Sequence, residues 1–262
     1  MIFTKRMSLE DKRFYSHVFR LVMPMAVQNL INVGVTSTDV IMLGKVGETA
    51  LSGVSLANQI YFILSLLYFG LTSGACVLTA QYWGKKDTRT IEKVMGMSFR
   101  ISILAGIVFA AAAFFFPYQL MRIFTADEAV IAAGVSYLKI VAFSYVLSAF
   151  TNVYLNIIRS IEQVVIATVV YGTSLAANIV LNAIFIFGLF GAPAMGAAGA
   201  ALGTLCSRAV EVVIVVFYAV KINHVVKIRF KDWFVKDKAL SKDFFTYALP
   251  VLLNEIAWGA GM

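Results

Sequence analysis

The chain has 262 residues, of which 60% are hydrophobic and 14% charged, and it carries a net charge of +8. Soluble domains hold about 25% charged and 45–50% apolar residues, so this composition excludes a soluble globular fold and indicates an integral membrane protein. The excess of positive charge does not mark a nucleic-acid-binding protein, because the lysines and arginines fall in alternate loops rather than in one patch.

Charge-free runs at 49–84, 101–121 and 163–207 reach or exceed the roughly 20 residues a spanning helix needs. The pattern predicts an all-α polytopic bundle with six complete spans, at 18–43, 51–83, 94–116, 129–157, 163–188 and 195–220. A seventh opens near 244.

The first span carries Pro24 and then Gln28, Asn32, Thr36 and Asp39, spaced by four, four and three, which places all four on one face. A carboxylate in hydrocarbon is costly, so its default reading is functional. A polar stripe on a helix interrupted by proline is expected to line an ion or substrate path. The second span is longer than a bilayer requires, and tilt or an extramembrane extension absorbs the surplus. Cys76 in this span and Cys206 in the sixth read as packed small hydrophobes.

Arg100, near one end of the third span, is expected to snorkel, as is Lys139 in the fourth. The fourth span carries Tyr137, Ser144, Ser148, Asn152 and Asn156 at helical spacings. The fifth carries Tyr171, Ser174, Asn178 and Asn182. Such residues can simply join neighbouring helices by hydrogen bonds. Three stripes and a carboxylate together predict a shared hydrated cavity, in which Asp39 and the amide oxygens of Asn178 and Asn182 hold a monovalent cation or share a proton. Between the fifth and sixth spans, the stretch Gly188 to Gly196, with Gly191 and Pro193, makes a tight hairpin. The small residues from Gly196 to Gly203 let backbones approach closely, and Thr204 after them can face the cavity. Arg208 and Glu211, three apart on the sixth span, are expected to pair with each other.

Lysines and arginines fix the orientation. The amino terminus has five, the loop after the second span four, the loop after the fourth one, and the stretch 221–243 seven. The opposite loops hold only Lys45 and Arg122. Positive loops stay inside, so the amino terminus and the 221–243 stretch are expected to be cytoplasmic, in a multi-pass protein of a bacterial plasma membrane. The 221–243 stretch alternates lysine with Phe230, Trp233 and Phe234, which suits a tether lying at the anionic leaflet.

Phe19 to Asn29 and Phe245 to Glu255 align at an offset of 226 residues, each with an early proline and two adjacent polar residues. Paired halves of this kind typify transporters built from repeats. The chain then divides into a six-helix lobe (1–220), a linker (221–243) and the truncated first helix of a second lobe (244–262), in which Glu255 is a candidate. On this reading the chain is a fragment, and the missing second lobe is a partner. There is no catalytic constellation. His17 and His224 lack metal-ligand spacing, and no Walker-type phosphate loop is present, so neither an enzyme nor a bound cofactor is expected.

Several stretches resemble the multidrug and toxic compound extrusion (MATE) family: Pro24 through Asp39, Met42 to Lys45 with Ala50 to Gly53, Gly74 through Gly84, Asn178 to Asn182 leading into Gly188, and Met195 to Ala201. The resemblance implies twelve helices in two lobes, and antiport of organic, often cationic, compounds against H⁺ or Na⁺. It implies a first-lobe site at Asp39, Tyr137, Asn178, Asn182 and Thr204, and a bend of the first helix at Pro24. One departure stands out: many members have aspartate where this chain has Asn182. The rivals are a lipid-linked precursor flippase of the same superfamily and a half-transporter that transports nothing by itself.

Overall fold

The computed structural model describes residues 9–234 and 237–261. Lys5 and Arg6 of the basic amino terminus and Lys236 of the linker lie outside the described residues, as do the side chains of Lys12, Arg13 and His17.

Six helices long and apolar enough to span a membrane match the six expected: α1 (Leu9–Val46), α2 (Glu48–Gly84), α3 (Thr88–Phe115), α5 (Glu128–Ser160), α6 (Val165–Phe187) and α7 (Ala197–Phe217). A short α4 (Pro117–Arg122), not expected from the sequence, turns the chain between α3 and α5. Proline opens it, at a position where the missing N–H has no intrahelical partner to lose. The last helix, α8 (Lys238–Ala260), starts six residues before the expected 244. At about 1.5 Å per residue, the 37 residues of α2 outrun a hydrocarbon core of about 30 Å, so its ends project beyond it.

Local chemistry sets the helix ends. Asp87 caps α3 by accepting hydrogen bonds from the Thr90 hydroxyl at 2.6 Å and the Thr90 backbone N–H at 3.0 Å. These bonds hold its carboxyl below the usual carboxylate range. Asp127 caps α5 in the same way through Ala129 N–H at 2.8 Å. The α6–α7 hairpin closes at Gly188, whose left-handed φ of 74° and 2.8 Å spacing from a Cβ position to the Ala192 carbonyl both require glycine.

α5 runs through the centre of the lobe, packed on α2, α3 and α7. α6 joins α1 to α7, and α8 lies along α2. Phe99, Ile157 and Ile158 lie in one apolar cluster, and Leu64, Leu138 and Tyr145 in another. Large apolar side chains such as Leu30, Leu104, Phe143, Val169 and Val213 remain exposed, as a bilayer-facing surface demands. Arg100 and Lys139 are exposed as well.

The structure alters two expectations. α1 continues as one helix through Pro24, rather than being interrupted there. The Thr168 hydroxyl of α6 donates to the Pro24 carbonyl at 3.3 Å, which ties the two helices together at this turn. The linker is also more than a tether. Its 3₁₀ turn Phe230–Phe234 docks on α3: Asp232 is buried and accepts two 2.7 Å bonds from Arg89, and Trp233 stacks on Phe99 with ring centroids 5.2 Å apart. Glu92 reinforces the contact, accepting from Arg89 at 2.8 Å and from Lys227 N–H at 3.0 Å. Only Phe230 and Phe234 of the three aromatics face outward.

Candidate functional site

The polar faces of five helices converge on one cavity of about 400 Å³. α1 contributes Asn32, Thr36 and Asp39, α5 contributes Tyr137, Ser144 and Asn152, and α6 contributes Tyr171, Ser174 and Asn178. α7 contributes Thr204, Ser207, Arg208 and Glu211, and α2 adds Ser55, Asn58 and Tyr61. The helical spacing explains the convergence, because residues three or four apart share a face.

Behind the wall near the α6–α7 hairpin, Asn182 is fully buried and does not itself line the cavity. Its amide nitrogen donates to Asp39 Oδ1 at 2.5 Å and to Asn178 Oδ1 at 3.1 Å. One side-chain NH₂ therefore bridges a carboxylate on α1 and a carbonyl oxygen one turn away on its own helix. The oxygen of the same amide is buried and without a hydrogen-bond partner among the described residues. It points at Gly203 of α7, and a Cβ there would collide with it. The small-residue run is thus more than a packing device, since Gly203 makes the space in which Asn182 reaches Asp39. The Tyr137 hydroxyl donates to Asn58 Oδ1 at 3.0 Å.

Nearer the centre of the bundle, Arg208 Nη1 donates to both oxygens of Glu211, at 2.7 and 3.0 Å. The Ser174 hydroxyl adds a 2.6 Å bond to Oε1. The expected ion pair is present, but it forms part of the cavity wall rather than a dry contact between neighbours on one helix.

Not every residue singled out from the sequence reaches the cavity. Gln28 is buried in the α1–α6 contact, where its amide donates to the Val164 carbonyl and Thr168 and accepts from Arg159 at 2.6 Å. Ser148 is fully buried away from it, with no partner for its hydroxyl among the described residues. Glu255 is half-buried on α8, which packs against α2 and contributes nothing to this cavity. Thr36 and Asn152 line the cavity, and each also bonds a carbonyl of its own helix, at 3.2 and 2.9 Å. The α2 residues Ser55, Asn58 and Tyr61 were missed because their helix is apolar over most of its length. Their spacing of three was the available signal.

Among the described residues no group of three or more His, Cys, Asp or Glu side chains could hold a metal ion. A helical bundle with a buried carboxylate–amide cluster on the wall of a polar cavity has the architecture of a membrane transporter lobe. A family model described as MatE matches residues 24–184, more than half of the chain, and the chain belongs to that family of transporters. It is 23% identical over 238 residues to a probable multidrug resistance protein, YoeA, of Bacillus subtilis, covering 90% of this chain and 51% of the relative. It is 27% identical over 194 residues to a probable multidrug resistance protein, NorM, of Thermotoga maritima, covering 73% and 41%.

The fold matches a multidrug resistance MATE family transporter solved in an outward-facing conformation, with a TM-score of 0.82 and 24% identity over 92% of this chain and 52% of that one. It also matches a transporter of the same superfamily from Pyrococcus furiosus, with a TM-score of 0.81, 24% identity and the same coverage. The chain spans about half the length of these relatives.

Proposed function

We propose that this chain forms one lobe of a cation-coupled antiporter that exports organic, chiefly cationic, compounds by alternating access. In this reading it sits in a prokaryotic cytoplasmic membrane with its amino terminus and the 221–243 stretch inside, following the charge asymmetry of the loops. A second lobe completes the translocation path.

The observation that carries the reading is the buried Asn182 amide that bridges Asp39 and Asn178, two residues that line the cavity. Its NH₂ occupies the place between two oxygens that a proton or Na⁺ would contest. When Asp39 is ionised, the amide donates to it. When Asp39 is protonated or holds Na⁺, the donor to it is redundant, and the amide can face the site with its oxygen only by giving up its bond to Asn178. Ion binding then changes how α1 is tied to α6. A ligand shifts an equilibrium between two conformations only through different affinity for them, and such a change of ties supplies the difference. Because Asn182 brings no second carboxylate, Asp39 carries the charge of the coupling step in this lobe.

Ethidium efflux by the complete transporter, under imposed proton or sodium gradients, tests this. Asp39→Asn should abolish gradient-driven efflux while leaving protein in the membrane, and whichever gradient drives the wild type identifies the ion. Wild-type efflux from Asp39→Asn would sink the reading.

A further inference from the structure

The lobe holds a second pocket in line with the polar cavity. It measures about 350 Å³ and is lined by Arg20 and Leu21 of α1, by Glu162 and Val164 in the turn before α6, and by Tyr218 after α7, among others. In the orientation proposed above it lies at the inner end of the bundle. One layer of side chains separates the two spaces. On α1, Gln28 follows Leu21 by seven residues and precedes Asn32 by one turn. On α6, Thr168 follows Val164 by one turn and precedes Tyr171 by three residues. On α5, which runs the opposite way, Arg159 lies about two turns beyond Asn152. Asn32, Tyr171 and Asn152 all line the polar cavity. The Gln28 amide knits the layer together: it donates to the Val164 carbonyl at 3.2 Å and to the Thr168 hydroxyl at 3.0 Å, and accepts from Arg159 Nη2 at 2.6 Å.

Joining three helices needs only neutral donors and acceptors, yet this layer contains an arginine. A guanidinium stays protonated at any working pH, and charged groups inside a membrane bundle normally meet a counter-charge. Here Nη2 meets an amide oxygen, and Nε is buried with no hydrogen-bond partner among the described residues. Glu162, the nearest acid in the chain, lies past the end of α5 on the inner pocket. The layer therefore sets a fixed positive charge between the cavity that holds Asp39 and the inner end of the lobe. A positive charge in a narrow polar passage raises the energy of every cation that enters it, and arginine excludes protons and cations from pores in this way.

We propose that the Gln28–Arg159–Thr168 layer is an electrostatic seal: Arg159 bars H⁺ and Na⁺ from passing between the polar cavity and the inner pocket. The coupling ion then leaves Asp39 only when the lobe changes conformation, and ion flow stays tied to export. The proposal rests on the antiport reading of the preceding section and adds to it the residue that prevents slippage.

Ion leak through the complete transporter in proteoliposomes, without drug, tests it. Entry of H⁺ and Na⁺ down imposed gradients is followed with ion-sensitive dyes inside the vesicles, and chloride entry serves as the control. Arg159→Gln keeps a neutral donor beside Gln28 and removes the charge. It should raise the protein-dependent cation leak about tenfold, the effect of one unit charge acting over about 10 Å at an effective dielectric of about 20. Chloride leak should not rise. Arg159→Lys keeps the charge and should stay within about threefold of the wild type. Gln28→Glu neutralises Arg159 from the neighbouring helix and should leak cations as Arg159→Gln does, again without a rise in chloride.

The seal is overturned if cation leak is unchanged in either neutralised variant, or if Arg159→Lys leaks as much as Arg159→Gln. Cation and chloride leaks that rise together also overturn it, because they mark a mechanical plug rather than a charge barrier. Ethidium efflux measured on the same vesicles separates the two readings. A wild type that exchanges ethidium for neither ion refutes the antiport reading and the seal with it, whereas coupled efflux with an unmoved leak refutes the seal alone.

Discussion

Gly203→Ala isolates the contact on which the Asp39 cluster depends. In an ordinary helix interior this change stabilises by about 1 kcal/mol, because alanine restricts the unfolded chain and glycine does not. Here the new methyl would occupy the position of the Asn182 amide oxygen, and the Asn182 backbone nitrogen, 3.2 Å from the same point, leaves little room behind it. The amide must swing away, giving up the charge-assisted bond to Asp39 and the neutral bond to Asn178, or α7 must move outward. Either outcome costs about 2–4 kcal/mol, so the net effect should be a loss of about 1–3 kcal/mol.

A double-mutant cycle read by thermal unfolding in detergent separates these contributions. In an Asn182→Ala background the side-chain collision is gone and only the 3.2 Å approach to the backbone nitrogen of residue 182 remains, so Gly203→Ala should become stabilising, by at most about 1 kcal/mol. The sign of the effect reverses with the neighbour. In the complete transporter, Gly203→Ala should lose ion-coupled ethidium efflux to the same extent as Asn182→Ala. Equal effects of Gly203→Ala in the two backgrounds, or a raised Tm with asparagine present, would refute the role assigned to this glycine.

Three further changes probe the surrounding lobe. A Cβ at Gly74 would stand 2.6 Å from the Cβ and backbone nitrogen of Ala248, so Gly74→Ala should lift α8 off α2. Faster trypsin cleavage at Lys238 and Lys242 is the expected readout, and unchanged cleavage would contradict the close approach. Asp232→Ala removes the two bonds that hold the linker to Arg89, a loss of about 1.5–3 kcal/mol each before rehydration of the half-exposed arginine. It should speed trypsin cleavage at the already exposed Lys231 by releasing the turn that holds it, with the membrane-spanning helices left intact. The Asp87 carboxyl is held below its usual range by Thr90, so the stability it lends α3 is complete at neutral pH and is lost as pH falls through that depressed value. Asp87→Ala should lower the Tm at pH 7 by the equivalent of about 1 kcal/mol of cap, and the difference from wild type should shrink in strong acid.

Much of the lobe was legible in the chain because the bilayer imposes a length rule. Charge-free runs of the required span, broken by lysine-rich loops and by the glycines around Pro193, determine six helices and their alternation without reference to any partner. The same holds for Asp39, Asn178 and Asn182, because polar groups at helical spacing in an apolar run must share a face.

What the sequence could not decide is which face meets which. Gln28 belongs to the same stripe as Asp39, yet it is absorbed by Val164, Thr168 and Arg159 between two helices. Asn58 sits on a helix with little polar signal, yet it meets Tyr137. Arg208 and Glu211 look self-sufficient as a pair three residues apart, but the rotation of α7 against α6 brings them to the cavity and leaves one edge of the guanidinium open. Periodicity fixes directions within a helix. The rotation and depth of one helix against another follow from close packing, here from Gly203 against Asn182 and Gly74 against α8, and those contacts exist only in the folded bundle.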